Sequence, residues 1–168
     1  MIADDTGQAG GNEVTSLKEE VEILRRVPLF AALDPAKLKL LAFTSERMTF
    51  QPGQEICRQG DVGDAAYVIV AGDASILVNI DGNEIEVAEV GENAVIGEIA
   101  VLCEIPRTAT VRAKQTLQAL KIDKETFLRM IKEFPEMSIE IMRELADRLT
   151  KTTAELTTAR NELKEATG

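Results

Sequence analysis

Gly97-Glu98-Ile99-Ala100-Val101-Leu102, followed after Cys103-Glu104-Ile105 by Pro106-Arg107-Thr108-Ala109-Thr110, is the stretch from which the organisation of this chain can be worked out. Its glycine allows a tight turn into a short helix, a carboxylate stands beside that turn, and an arginine follows a rigid proline. Backbone N–H groups at a helix start, joined to a guanidinium, make an anion site, and the neighbouring carboxylate can accept from a hydroxyl. A molecule offering both groups is a sugar phosphate or a nucleotide.

On either side of this stretch the punctuation is that of a β protein. Pro52-Gly53, Gly60-Asp61, Gly63-Asp64, Gly72-Asp73, Asp81-Gly82 and Gly91 break the chain at short intervals, and the pieces between them are β-branched or alternating. Tyr67–Val70 and Ile76–Val78 are predicted as buried strands, and Asp81-Gly82 as a two-residue hairpin turn. The strand that follows is expected to be half-exposed, with Ile85 and Val87 alternating with Glu84 and Glu86. Thr110–Ala113 and Leu117–Ile122 supply the last strands. Many short strands with such regular turns predict an antiparallel barrel, sandwich or roll.

Helices flank this region. Ser16-x-x-Glu19 has the form of a capping box, and Leu17, Val21 and Leu24 recur at helical spacing up to about Arg26, before Pro28. Asp34-Pro35 caps a second helix whose expected buried face is Leu38, Leu40, Leu41 and Phe43; Asp123 caps a third with Phe127, Met130, Ile131 and Phe134. The last segment differs. Met142, Leu145, Leu149, Thr152, Leu156, Ala159 and Leu163 step alternately by three and four, the seam of a parallel homodimeric coiled coil through 142–163. The division expected is a disordered leader over 1–14 and one domain over 15–168, with N-terminal helices 15–46, β-roll 47–122 and C-terminal helices 123–165.

Composition removes several classes of function. The 168 residues include no histidine, so histidine metal ligands and any nucleophile served by a histidine base are excluded. Cys57 and Cys103 are too few for a four-thiolate cluster and are expected as small buried residues. A net charge of -10 repels a phosphate backbone, so nucleic acid is not expected as a partner. Nowhere do about 18 apolar residues run together, so no membrane insertion is expected, and Met1–Gly11 lacks the build of a signal peptide. A cytoplasmic location follows as the default, with no enzyme activity and no cofactor.

The opening stretch resembles the phosphate-binding cassette of cyclic nucleotide-binding domains. The likeness extends to Pro52-Gly53-x-x-Ile56-x-x-Gln59-Gly60-Asp61, Tyr67-x-Ile69, Gly72 and Gly91-Glu92, and covers about Val27 to Leu156. It implies an α+β fold: an antiparallel, jelly-roll-like β-roll flanked by N- and C-terminal helices, the last one long and dimerising. It implies that Arg107 neutralises a cyclic phosphate, that Glu98 accepts from the ribose 2′-hydroxyl, and that backbone N–H groups of Ile99, Ala100 and Ala109 complete the cradle. Gly97 allows the close turn, and Ile76 and Val87 are expected near the base.

For the base, two features point in opposite directions. Thr108 follows the arginine, where cGMP-dependent kinases of the family carry a threonine that reaches guanine and cAMP-binding kinase subunits carry alanine. Ala146-x-Arg148-Leu149-x-x-Thr152-Thr153 resembles the bacterial catabolite activator, in which a Thr-Ser pair, one residue from each subunit, touches adenine. The balance favours cAMP over cGMP. Since the chain ends at Gly168 with no helix-turn-helix or catalytic domain, the expected output passes to an unidentified effector protein. The alternatives are a dimerising scaffold with a vestigial pocket, or a piece of a transcription regulator or channel.

Overall fold

A computed structural model describes residues 9–168, with side chains from Ser16 onward. The chain begins with α1 (Ala9–Arg26), a single 3-10 turn at Pro28–Phe30 and α2 (Pro35–Thr44). Eight strands follow, β1 (Glu46–Phe50), β2 (Glu55–Cys57), β3 (Ala65–Ala71), β4 (Ala74–Ile80), β5 (Asn83–Val90), β6 (Val95–Ile96), β7 (Thr110–Ala113) and β8 (Leu117–Asp123). Helix α3 (Glu98–Cys103) sits between β6 and β7, and α4 (Lys124–Glu133) and α5 (Pro135–Thr167) end the chain. The expected α+β architecture is the one observed. Two four-stranded antiparallel sheets, ordered β1-β8-β3-β6 and β2-β7-β4-β5, face each other with helices at both ends of the chain.

The period-2 alternation of β3 and β8 explains why both read as continuous apolar runs. Ala65, Tyr67 and Ile69, with Leu117 and Ala119, point into the roll, where they meet Phe50, Ile56, Ile96 and Val111. Ala66, Val68, Leu120 and Ile122 point outward into a second core made by Leu24, Phe30, Leu41, Phe127, Met137 and Ile141 of the helices. This sheet is therefore covered on both faces, and it fixes the helices against the roll. The Asp81-Gly82 hairpin is present: both residues have positive φ (51° and 85°), and Ile80 pairs with Asn83. Asp34 and Asp123 cap α2 and α4, accepting from Lys37 N at 3.0 Å and Thr126 N at 2.8 Å.

Several expectations are corrected. Helix α1 opens at Ala9, upstream of Thr15, so Ser16 and Glu19 lie inside it and form no capping box; residues 1–8 of the expected leader lie outside the described residues. In α2 only Leu38 and Leu41 of the expected face are buried. Leu40 is 47% exposed and Phe43 78%, because the underlying core meets a narrower stripe, Leu38, Leu41 and Ala42, than four apolar residues would cover. Ile85 and Val87 are also exposed, since β5 is an edge strand with no layer over that face among the described residues. Cys103, at the end of α3, is exposed, and Cys57 is half-buried. No described helix is long and apolar enough to cross a membrane.

Candidate nucleotide site

Strand β6 ends at Ile96, and Gly97, with a φ of +80°, turns the chain into α3. A side chain there would be strained by that φ and would also run into Nη1 of Arg107, so glycine is required twice over. Glu98 is then the first residue of α3, and no side chain caps the N–H groups of this helix's first turn. Helix α3 stops at Glu104, itself in the left-handed region, whose N–H returns to Ala100 O. Pro106 then delivers Arg107 back beside the helix start.

The backbone of Arg107 is locked to the Gln59-Gly60-Asp61 turn. Arg107 N donates to Asp61 O at 2.8 Å, Gly60 N donates to Arg107 O at 2.9 Å, and Gln59 N donates to the buried hydroxyl of Thr110 at 3.0 Å. Arg107 is buried inside the roll, 4% exposed. It donates through Nη1 to Gly97 O (3.1 Å) and through Nη2 to Ala65 O (2.7 Å) and Asp64 Oδ1 (3.3 Å), and stands 5.9 Å from the Tyr67 ring centroid. Three of its five N–H donors are thus held by the protein, which fixes its plane and leaves the others for a ligand.

Glu98, 5% exposed, meets the last helix. Arg148 of α5 donates through Nη1 to Glu98 Oε1 at 2.5 Å, and through Nη2 to Glu144 Oε1 at 2.8 Å and Val95 O at 3.3 Å. Burial pushes the Glu98 carboxyl above the usual carboxylate range, and the Arg148 charge draws it part of the way back.

A cavity of about 670 Å³ opens between these groups. Gly97, Glu98, Ile99, Ala100, Arg107, Thr108 and Ala109 make one wall; Ile76 and Val87 make the wall given by the β4–β5 hairpin, next to Val111 and Cys57. From α5 come Arg148, Lys151, Thr152 and Glu155, at the i, i+3, i+4, i+7 spacing of one helix face. Ten of the eleven residues singled out in the sequence therefore share one cavity. Thr153 does not. One position beyond Thr152 it lies about 100° round the helix, off the cavity-facing stripe. Arg148, Lys151 and Glu155 were missed; the signal for Arg148 was its place in the Ala146–Thr153 motif, where only the threonines were given roles. An anion site, a buried hydroxyl acceptor and an apolar slot in one cavity suit a phosphorylated sugar that carries a flat ring.

Comparison with known proteins agrees. Residues 47–134 match the model of the cyclic nucleotide-binding domain. The chain is 36% identical over 109 residues to a cAMP-dependent protein kinase regulatory subunit of Blastocladiella emersonii, covering 64% of this chain and 27% of that protein. It thus spans about a quarter of the length of that curated relative. Among solved structures, the Thermus thermophilus catabolite activator protein superposes with a TM-score of 0.69 at 29% identity, over 77% of this chain and 61% of that one. The regulatory domain of Toxoplasma gondii PKA, crystallised with cAMP, gives 0.74 at 21% identity over 82% and 52%, a likeness of fold. The cassette, the roll that holds it and these matches together make the chain a member of the cyclic nucleotide-binding domain family.

Proposed function

We propose that this chain is a cyclic nucleotide sensor, favouring cAMP over cGMP, that passes occupancy through α5 to a partner protein and works as a homodimer through residues 142–163. The observation that carries the proposal is that Arg107 and Glu98, both almost fully buried and charged, open onto one cavity lined on its other side by α5. In this reading Arg107 and the first-turn N–H groups of α3 hold the cyclic phosphate, and Glu98 accepts from the ribose hydroxyl. Ile76 and Val87 flank the base, and Thr152 reads its edge. Thr153 is assigned to the base bound by the second copy. Thr108, also in the wall, keeps cGMP within reach. The name of the Blastocladiella relative supports cAMP as the first ligand to test.

The transmission proposed is a population shift. Ligand draws α3, through Ile99 and Leu102, against α4 at Phe127 and Leu128, and α4 carries α5 with it. Leu102 and Leu128 already pack on the helical core. The size of the shift is bounded by the ligand's differential affinity for the two arrangements. The proposal includes no chemical step, no nucleic acid and a cytoplasmic setting. Calorimetric titration with cAMP and cGMP tests it: saturable binding with cAMP tighter is expected, and no heat from either at high micromolar concentration removes it.

A second reading, a dimerising scaffold whose pocket is vestigial, is favoured by the bonds Arg107 makes to Gly97, Ala65 and Asp64, which satisfy much of the guanidinium without any ligand. It predicts a melting temperature indifferent to either nucleotide.

A further inference from the structure

Helix α5 lines the cavity through Arg148, Lys151, Thr152 and Glu155, and it departs from α4 at Phe134, with Met137 and Ile141 buried in the helical core just beyond that joint. Phe134 ends α4 and starts α5, with φ -123° and ψ 89°, outside helical geometry. Its N–H closes α4 on Met130 O at 2.9 Å, its carbonyl accepts from Met137 N at 3.0 Å, and Ser138 Oγ donates back across the joint to Ile131 O at 3.0 Å. From the joint to Arg148 is roughly 20 Å of helix at 1.5 Å per residue, so a swing of about 10° displaces the guanidinium by about 3.5 Å, more than a hydrogen bond tolerates.

A residue of neither helix holds this joint. Lys37, in the first turn of α2, places Nζ 4.4 Å from the centroid of the Phe134 ring and 2.7 Å from Glu136 Oε1. The joint is thereby gripped on both sides, at its ring and at the first turn of α5. Asp34, which caps α2, stands behind the ammonium at 4.0 Å. The Lys37 and Glu136 side chains are 29% and 33% exposed, so their stems are packed while the charged ends meet at the surface.

We propose that Lys37 is a positioning residue for the nucleotide site: by clamping Phe134 and Glu136 it sets the angle of α5 and keeps Arg148 on Glu98 across the cavity mouth. This rests on the cavity being the ligand site. It adds that the N-terminal helices hold a share of the affinity although none of their residues lines the cavity among those described. Because coupling is reciprocal, nucleotide binding tightens the α2–α5 contact by the same factor that the contact tightens binding.

The test uses the full chain with two substitutions at one position. Lys37→Met keeps the apolar stem and removes the charge; Lys37→Arg keeps a cation that can stack on a ring and pair with a carboxylate. Lys37→Met is expected to weaken cAMP binding about three- to tenfold, through faster dissociation, while Lys37→Arg restores most of it. In protein without nucleotide, amide exchange of α5 around Arg148 is expected to quicken in Lys37→Met while that of α4 stays unchanged. In an Arg148→Met background, Lys37→Met should add almost nothing, because the two changes act through one contact. Unchanged affinity and unchanged α5 exchange in Lys37→Met overturn the proposal, as does full additivity with Arg148→Met or a loss that arginine does not rescue. If the wild-type chain binds neither nucleotide, the proposed function fails on its own, and the exchange comparison still decides whether Lys37 sets α5.

Discussion

Arg148 and Glu98 stand fifty positions apart in the chain and share a hydrogen bond of 2.5 Å, so the residue that opens α3 is joined to the middle of α5. One partner is buried and the other is half in solvent: the Glu98 side chain is 6% exposed, that of Arg148 43%. Removing the guanidinium leaves a buried carboxylate without its side-chain partner. Arg148→Met is expected to lower folding stability by about 1–3 kcal/mol, the cost of an unmet buried acceptor reduced by the water that reaches α5. The midpoint of urea unfolding reads it, and an unshifted midpoint means the contact holds nothing.

Glu98 is also expected to make binding depend on pH. In the proposed complex the ribose hydroxyl donates a hydrogen bond to the Glu98 carboxylate, as Arg148 does. Burial raises the Glu98 pKa, so on acidification the folded protein takes up this proton at a higher pH than an ordinary glutamate does, and both partners are lost. The sign follows: cAMP affinity is full at neutral pH and falls on acidification sooner than the ordinary carboxylate range would give. Titrations between about pH 7 and pH 4.5 check it. Glu98→Gln, which accepts without titrating, is expected to bind about tenfold more weakly and to flatten the dependence.

Arg107 is the residue proposed to hold the anion. Arg107→Ala removes a charge-assisted contact that no other residue of the cassette replaces, and a loss of cAMP affinity of at least about a hundredfold is expected by calorimetry. Arg107→Lys should recover little of it. A lysine ammonium cannot reach Gly97 O, Ala65 O and Asp64 together as the planar guanidinium does, so its charge would not be held in one place. Near-normal binding by either variant would mean that the phosphate lies elsewhere.

Most of this site could be read from the chain because local turn chemistry and site chemistry coincide there. Gly97 is needed for its φ, Pro106 for a stiff return and Arg107 for charge, each at a fixed offset from the others. The hairpin at Asp81-Gly82 and the caps at Asp34 and Asp123 were legible for the same reason, since each is decided within four residues. What could not be read depends on which layer covers an apolar face. Leu40 and Phe43 of α2 and Ile85 and Val87 of β5 have the right periodicity but stay largely exposed among the described residues. Arg148 escaped because its partner lies on another element, a distance that no spacing rule encodes.

Two glycines with nearly the same backbone separate strain from site chemistry. Gly82 has φ +85° and Gly97 φ +80°, but a Cβ on Gly82 meets no atom within 4 Å, whereas one on Gly97 meets Arg107 Nη1. Alanine at either position should cost about 1–2 kcal/mol of stability for the left-handed conformation. Gly82→Ala is expected to bind cAMP as the wild type does, and Gly97→Ala to lose binding because the guanidinium is pushed from its carbonyls. Equal affinities for the two variants would show that the position of Arg107 is not what the glycine protects.

The seam on α5 gives the last test. Met142, Leu149, Leu156 and Leu163 are 61%, 68%, 51% and 65% exposed in a single chain, so no intramolecular packing is lost when the distal ones become charged. Leu156→Glu combined with Leu163→Glu is therefore expected to leave the melting of the roll almost unchanged and to convert a dimer to a monomer by sedimentation equilibrium, since like charges at facing core positions of a coiled coil are not tolerated. Thr152 belongs both to this seam and to the cavity wall, so the proposed dimerisation and the proposed ligand binding share a residue and are expected to be linked. Wild-type affinity for cAMP should accordingly change with protein concentration across the dimer constant, by the factor through which cAMP changes that constant. In the doubly charged variant it should not change at all. A wild-type chain that sediments as a monomer at every concentration, with the same affinity throughout, would assign the seam to a different partner helix.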